Sequence, residues 1–369
     1  MWHTIVQFFR KSDWALSLSV LFLSAFGLMA LYSIESTADS PTFFDFKKQL
    51  IFTVIGLVLL VSVGIVDYRF ARSYGAVLYA AGLLGLAAVL ILGTTVRGTR
   101  GWFFIGGQGF QPVELIKIFL IVVIAQLFQR WRLEITTLRR LLIITAVTLP
   151  AIGLVLWQPD FGSAVILLAI FLGILLLSKI KKQYIISIVI ILLVVSVVSW
   201  FFVLKPYQKD RIMNFVNPSH DPYGSGYNIK QSIIAVGSGN WFGRGLSLGS
   251  QSRLHFLPAQ KTDFIFAVIA EELGFVGTAL VLICFILLIW RLVAIARQAR
   301  DSFGAVIIGG LVVYFACQTI LNIGMNIGLL PIAGVTLPFV SYGGSSLLAS
   351  YIAIGLAQSI RVRSLTSVG

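Results

Sequence analysis

Long runs of apolar residues alternate with short polar segments along almost the whole chain. Seven of these runs carry no charged side chain, and each is close to the ~20 apolar residues that a membrane-spanning helix needs. They are Trp14–Ile34, Gln49–Val66, Ser73–Gly93, Leu141–Pro159, Phe161–Ser178, Gln183–Leu204 and Leu273–Trp290. The pattern predicts a bundle of helices that cross a membrane.

An eighth charge-free run, Ser302–Ile360, extends over 59 residues. One helix of that length would be about 88 Å long, far more than a bilayer requires. Because the run is interrupted by prolines and glycines, it predicts two spans, about 304–328 and 344–361. A helix over about 112–129, apolar except for one glutamate and one lysine, brings the predicted number of spans to ten.

The composition agrees with this pattern and excludes several classes of protein. Of the 369 residues, 58% are hydrophobic and 11% are charged, and the mean hydropathy is +0.95. A soluble protein, a disordered chain, a collagen-like chain and a disulfide scaffold all need a different composition. The predicted fold class is therefore an all-α polytopic membrane protein, with residues 1–369 forming one membrane domain.

The formal net charge of +14 has several explanations: nucleic acid, acidic lipid, an anionic substrate or membrane topology. The terminal segments and the even-numbered loops together contain 16 basic and four acidic residues. By the positive-inside rule this side is cytoplasmic, so both termini are predicted to be cytoplasmic and no nucleic acid is needed to explain the charge. The long loop 205–262, between the seventh and eighth spans, then lies outside.

This long loop is not of low complexity, and we expect it to form an ordered cap with short amphipathic helices, for example near Tyr227–Val236. A second outer loop, Leu330–Ser345, is uncharged and rich in proline and glycine, and we expect it to enter the membrane as a broken helix. Several cations collect on the outer side, where a phosphate-bearing ligand would explain them. They are Arg97, Arg100, Lys117, Arg211, Arg244 and Lys261. The alternative for many of them is solvated loop charge.

Charged residues at membrane depth are costly and usually functional. Glu114 and Lys117 are three residues apart and share a helix face, either as a self-neutralising pair or as the wall of a cavity. Asp263 lies where the long loop meets an apolar segment, and its carboxylate is either a helix cap or a general base. Glu271 and Glu272 lie further along, as members of a buried network or as a hinge.

Several motifs resemble those of the SEDS proteins, the RodA/FtsW/SpoVE family, in the same order along the chain. They are RGWFFIG (100–106), QPVELIK (111–117), QPDFGSA (158–164), KTDFIFAVIAEELG (261–274) and LPFVSYGGSS (337–346). The resemblance covers nearly the whole chain, and within the family it is closest to RodA. Val113 and Lys261 depart from the family pattern, which usually has Ser and His there.

The resemblance implies a peptidoglycan glycosyltransferase of the bacterial cytoplasmic (inner) membrane that polymerises lipid II on the extracytoplasmic face for cell-wall elongation and cell shape. It also implies a cognate class B penicillin-binding protein and other elongation-complex proteins as partners. Asp263 is then the catalytic residue. The remaining candidates are substrate-binding residues: Lys117, Glu114, Arg100, Trp102, Lys261, Arg211, Glu272, Ser341 and Tyr342.

In this interpretation Asp263 accepts the proton of the acceptor hydroxyl while the donor sugar is inverted. The pyrophosphate leaving group needs positive charge, from Lys117, Arg100, Lys261 or Arg211, or from a divalent cation such as Mg²⁺ or Mn²⁺. Three alternatives remain open: a lipid II flippase or transporter, a scaffold that activates the penicillin-binding partner, and an FtsW-type division polymerase.

Overall fold

The computed structural model describes residues 2–37, 42–96, 98–131, 134–135, 137–203, 206–217, 224–254 and 256–365. The chain begins with α1 (Trp2–Lys11), α2 (Trp14–Ser36), α3 (Phe44–Ile65), α4 (Arg69–Leu92), α5 (Pro112–Arg130), α6 (Leu138–Trp157) and α7 (Phe161–Leu177). It continues with α8 (Lys182–Val198), α9 (Pro206–Val216), α10 (Ser225–Ser238), α11 (Ser250–Arg253), α12 (Ile265–Gln298), α13 (Ser302–Asn326) and α14 (Gly344–Ser364). A π-helical turn, Ser199–Val203, extends α8.

Within these described ranges, nine helices are long and apolar enough to cross a membrane, and α7 is shorter, at 17 residues. The nine are α2 to α6, α8 and α12 to α14. Each coincides with a predicted span, and α7 occupies the place of the predicted sixth span. The protein is thus a mostly helical, multi-pass membrane protein, as the hydropathy pattern predicts.

Among the nine spans the most buried are α5 and α14, whereas α8 has no fully buried residue among its described side chains. Small residues allow close packing at the centre, where α3 lies against α14. A Cβ atom on Gly56 would come within 2.1 Å of the Tyr351 ring, and one on Gly355 within 2.7 Å of the Leu60 carbonyl. Close approach of this kind is how membrane helices gain packing energy without a hydrophobic driving force between them.

The eighth span begins earlier than predicted. Helix α12 begins at Ile265, eight residues before the predicted start at Leu273, and it bends at Gly274, whose backbone is left-handed (φ 66°, ψ −160°). The carbonyls of Glu271 and Glu272, next to the bend, accept hydrogen bonds from the backbone N–H groups of Arg244 and Gly245, both at 3.0 Å. The long loop therefore satisfies backbone groups that the kink exposes.

Within the long loop, α10 contains the stretch predicted to be helical, and it packs on α12. The all-α prediction omitted short strands. β1 (Thr94–Val96), β2 (Thr99–Ile105) and β3 (Gln108–Phe110) form an antiparallel meander between α4 and α5. β4 (Glu134–Ile135) and β5 (Lys179–Ile180) form one short parallel pair.

The loop after α13 is irregular backbone rather than the broken helix that its sequence predicts, and much of it is buried. Buried irregular backbone needs partners for its polar groups. Two amides of α13 serve here: Gln318 Nε2 donates to the Thr336 carbonyl at 3.0 Å, and Asn322 Nδ2 donates to the Val335 carbonyl at 2.7 Å. This loop, the β-meander, the α6–α7 turn and the end of the long loop meet at one end of the bundle.

Candidate active site

A cavity of about 470 Å³ lies where these four segments meet, at the N-terminal ends of α5, α7, α12 and α14. Its walls contain five of the predicted functional residues and one further carboxylate. These six residues are Trp102, Glu114, Lys117, Asp160, Asp263 and Tyr342. The segments that form it are all predicted to lie on the extracytoplasmic side, so the cavity is off-centre in the predicted membrane.

Asp263 is held in place by hydrogen bonds to its main-chain carbonyl and N–H groups. Its carbonyl accepts hydrogen bonds from Asn322 Nδ2 at 3.0 Å and from Asn326 Nδ2 at 2.9 Å, and both of these amides are fully buried in α13. Its N–H donates to the Ala259 carbonyl at 3.1 Å. Asp263 is not the N-cap residue of α12, because that residue is Phe264, whose side chain makes no capping hydrogen bond. The Asp263 side chain lies at the cavity wall instead.

Glu114 and Lys117 lie on one face of α5, as their spacing predicts. Lys117 Nζ is 2.9 Å from Glu114 Oε1, and the two side chains are only 1% and 7% exposed. The Lys117 ammonium also lies 5.5 Å from the centroid of the Tyr314 ring. The two residues therefore neutralise each other and also line the cavity, so the two alternatives are compatible. Among the described residues, Glu114 Oε2 has no hydrogen-bond partner.

Trp102 reaches the cavity from β2. The backbone of Gly109 in β3 passes beneath its indole, where an added Cβ would come within 3.0 Å of Trp102 Cε3. Arg100 is not a lining residue of the cavity as the structure describes it. Its Nε and Nη2 atoms donate to the carbonyls of Gly93 and Ile91, at 3.1 and 2.8 Å. The Arg100 side chain thus satisfies the C-terminal carbonyls of α4 and holds the meander against that helix.

Asp160 is a cavity residue to which the sequence patterns assigned no role. It belongs to the QPDFGSA motif and caps α7, where its Oδ1 accepts a hydrogen bond from the Ser163 N–H at 3.0 Å. Gln111 Nε2 donates to its Oδ2 at 3.3 Å. Burial raises the pKa of Asp160 above its usual value, although the Ser163 hydrogen bonds and the charge of Lys117 oppose that shift. Its position in the QPDFGSA motif was the sequence feature from which a role for Asp160 could have been predicted.

The loop before α14 contributes Tyr342 to the cavity wall, whereas Ser341 has a structural role. The Ser341 hydroxyl donates to the Thr262 carbonyl at 2.6 Å and accepts from the Leu337 N–H at 2.7 Å. Burial, together with the charge and hydrogen bonding of Asp45, raises the pKa of Tyr342 above its usual range, so its hydroxyl stays protonated. The Tyr342 hydroxyl donates its hydrogen bond to the Asp45 side chain.

The remaining predicted residues are not brought to this cavity. Glu272 accepts hydrogen bonds from the Ser33 hydroxyl at 2.6 Å and the Ser247 N–H at 3.3 Å, which supports the network interpretation of its role. Lys261 forms ion pairs on the outside of the cavity. Arg97 and the side chain of Arg211 lie outside the described residues.

The charge of the cavity wall is acidic rather than basic in the described part of the chain. Glu114, Asp160 and Asp263 oppose Lys117. Across the described ranges, no group of three or more His, Cys, Asp or Glu side chains has the arrangement of a metal site.

The buried asparagines of α13 are functional candidates that the sequence patterns did not single out. Asn322 and Asn326 stand four residues apart in a mostly apolar span, so they share a face. A polar amide in a membrane helix is expected to have a specific hydrogen-bond partner. Two asparagines within a predicted span were therefore a sequence signal for a functional or structural contact. The structure identifies that partner as the backbone of the Asp263 segment.

Comparisons with known proteins agree with this architecture. The FtsW/RodA/SpoVE family model, described as cell cycle protein, matches residues 13–365. Stage V sporulation protein E of Bacillus subtilis is 34% identical over 361 residues, which cover 94% of this chain and 96% of that protein. Peptidoglycan glycosyltransferase MrdB of Escherichia coli K12 is 38% identical over 306 residues, which cover 83% and 82% of the two chains. A chain from the solved structure of a peptidoglycan synthase complex, described as coordinating polymerization and crosslinking, matches with a TM-score of 0.83 at 28% identity, covering 96% of this chain and 99% of that one.

Proposed function

Because the chain belongs to the FtsW/RodA/SpoVE family of cell cycle proteins, we propose that it polymerises lipid II into β-1,4-linked glycan strands. The proposed place is the outer face of the bacterial cytoplasmic membrane. Relatives named peptidoglycan glycosyltransferases support this activity. The main support for the proposal is the cavity, whose lining includes Asp263, Lys117, Trp102 and Tyr342.

The composition of this space suits a lipid-linked sugar. Its volume of about 470 Å³ lies in the ordinary range for ligand pockets. Trp102 and Tyr342 offer aromatic surface for a sugar ring. Phe161, Ile332 and Val335 supply apolar lining. Polymerisation requires two sugars to be held in register, which such a mixed surface favours.

In the proposed reaction, the 4-hydroxyl oxygen of the acceptor GlcNAc attacks C1 of the donor sugar. The new C1–O4 bond forms as the bond from C1 to the pyrophosphate oxygen breaks, and the hydroxyl proton passes to the Asp263 carboxylate. An α-linked donor becomes a β-linked product, so one displacement and one base suffice. The leaving group departs as an undecaprenyl pyrophosphate anion.

Lys117 is the proposed partner of this leaving group, because it is the basic side chain on the described cavity wall. Its ion pair with Glu114 orients the Lys117 side chain in a buried position. Charge that develops on the pyrophosphate would be stabilised by a preorganised cation in a site that excludes most water. Glu114 is then a positioning residue for Lys117.

We further propose a class B penicillin-binding protein as partner and cell-wall elongation as the cellular role. The match to a peptidoglycan synthase complex supports a partner of this kind. A division role of the FtsW type uses the same chemistry. The transporter alternative is less favoured, because transport sites usually lie near the midplane between repeat halves, whereas this cavity lies at one end of the bundle.

The test is polymerisation of fluorescently labelled lipid II by the purified full-length chain together with its partner. Asp263→Asn keeps the shape of the side chain but cannot accept the proton, so we expect the rate to fall by about 10²–10⁴-fold. Asp210→Asn, at an exposed aspartate of α9, is the matched control and should leave the rate unchanged. An active Asp263→Asn enzyme would refute the base assignment. A wild-type chain that moves lipid II across vesicles without polymerising it would support the transporter instead.

A further inference from the structure

Lys261, two residues before Asp263, lies in an ion-pair cluster with α2 and α3. Its Nζ is 2.9 Å from Glu35 Oε1 and 2.6 Å from Asp45 Oδ2. The Glu35 side chain is only 8% exposed, and Lys261 is partly exposed at 32%. One ammonium thus faces two carboxylates, and the cluster carries a net negative charge.

The Glu35 carboxylate is held by backbone hydrogen bonds in addition to its ion pair with Lys261. Glu35, near the end of α2, accepts hydrogen bonds from the backbone N–H groups of Asp45 and Phe46, at 3.1 and 3.3 Å. These N–H groups belong to the first turn of α3, where helices favour negative charge. Glu35 therefore caps α3, and its carboxylate is in place to bind the Lys261 ammonium.

The backbone around Lys261 is bound from the opposite side. The Tyr342 N–H donates to the Lys261 carbonyl at 2.9 Å, and the Ser341 hydroxyl donates to the Thr262 carbonyl at 2.6 Å. With the asparagine bonds to Asp263, three consecutive carbonyls are engaged. Tyr342 also interacts with Asp45 through its side chain. Tyr342, a residue of the cavity wall, therefore contacts the cluster.

We propose that Lys261 is a positioning residue, whose ion pairs with Glu35 and Asp45 tie the Asp263 segment to α2 and α3, and that it does not bind the pyrophosphate of the substrate. This inference rests on the proposed function. A cation already matched by two carboxylates within 3 Å has little attraction left for a third anion. Burial lowers the pKa of Lys261, but its hydrogen bonds to Asp45 and Glu35 outweigh that effect and raise it, so the ammonium persists at physiological pH.

The two roles predict opposite effects for the loss of one carboxylate. If Lys261 bound pyrophosphate, Glu35→Gln would release its ammonium and lower KM for lipid II. If Lys261 holds the Asp263 segment, Glu35→Gln would weaken the tie and lower kcat. Comparison of kcat and KM separates these outcomes, because a positioning defect affects the chemical step and a lost ligand affects binding.

The experiment measures kcat and KM for labelled lipid II with the full-length chain and its partner in five forms: wild type, Lys261→Met, Lys261→Arg, Glu35→Gln, and the Lys261→Met/Glu35→Gln double variant. We expect kcat to fall about tenfold or more in Lys261→Met, with KM within about twofold of wild type. Glu35→Gln should change kcat in the same direction. The double variant should be no worse than Lys261→Met, because both changes break one interaction. Lys261→Arg should restore most activity, since a guanidinium can serve two carboxylates.

Lys230→Met is the matched control, because Lys230 is an exposed lysine of α10 on the same side. It should leave kcat and KM unchanged. A raised KM with unchanged kcat in Lys261→Met, a lowered KM in Glu35→Gln, or additive losses in the double variant would each overturn the inference. If thermal unfolding shows that Lys261→Met does not fold, Glu35→Gln alone still separates the two roles, because one role lowers KM and the other lowers kcat. Absence of polymerisation by the wild-type chain would instead refute the proposed function.

Discussion

Asn326 provides the sharpest test of how the Asp263 segment is held. Its Nδ2 donates to the carbonyls of Asp263 at 2.9 Å and Asn322 at 2.8 Å, and its Oδ1 accepts from the Ala267 N–H at 3.1 Å. The residue is fully buried in α13. Leucine has nearly the same shape as asparagine, so Asn326→Leu removes these hydrogen bonds without leaving a large cavity.

The expected cost follows from these contacts. Three hydrogen bonds with a net contribution of about 1 kcal/mol each set an upper estimate near ~3 kcal/mol. The Asp263 carbonyl still accepts from Asn322, and the Ala267 N–H still has the Phe264 carbonyl at 3.1 Å. Since these groups keep one partner, we expect a loss of about 2 kcal/mol in the free energy of unfolding and a fall of a few degrees in Tm.

Thermal unfolding of the purified protein, followed by tryptophan fluorescence, measures the loss of stability. Lipid II polymerisation measures the effect on catalysis. Because the main chain of Asp263 is less constrained, kcat should fall about tenfold with a smaller change in KM. Thr319→Val, on the same helix, is the control, because the buried Thr319 hydroxyl has no hydrogen-bond partner among the described residues. If Asn326→Leu matched Thr319→Val in both Tm and kcat, the amide would not be holding the segment.

Three further predictions concern the cavity and the long loop. Lys117→Met leaves the Glu114 carboxylate buried without its cation, so stability should fall by about 3–5 kcal/mol; adding Glu114→Gln should restore Tm but not polymerisation. Burial raises the pKa of Asp160, so its stabilising contribution is complete below its usual pKa and is lost as pH rises through its folded pKa. Asp160→Asn should therefore raise Tm at pH 7 and have little effect near pH 3; an equal gain at both would contradict this. Gly243→Ala should destabilise the protein, because φ is +78° and its Cβ would come within 2.1 Å of a carbonyl of α12; Gly237→Ala, in open space, should not.

The predictable part of the site is the part that depends on local spacing. Glu114 and Lys117 are one helical turn apart, and the ion pair between them follows from helix geometry. The motif around Asp263 also indicated a functional residue where a loop meets a helix. Its capping alternative was settled only by the observed helix start, because cap position depends on how the preceding loop packs.

The roles of the outer cations were not predictable in the same way. Arg100 and Lys261 were both expected to meet a phosphate, yet Arg100 binds the carbonyl ends of α4 and Lys261 binds carboxylates of α2 and α3. A basic residue in a loop sequence attracts any nearby negative group. Which group is near depends on how the chain folds: Arg100 meets carbonyls seven and nine residues away, whereas Lys261 meets Glu35 across 226 residues.

The sequence by itself determined that this is a multi-pass membrane protein, because hydropathy over ~20 residues is a local property that the bilayer selects directly. It also located most spans to within a few residues, the motifs of the family and the Glu114–Lys117 pair. Only the tertiary structure decided that Asp160 joins the cavity, that Asn322 and Asn326 hold the Asp263 carbonyl, and that Lys261 is already paired. These outcomes depend on which loops meet at one end of the bundle, and buried polar groups must find partners wherever the packed helices place them.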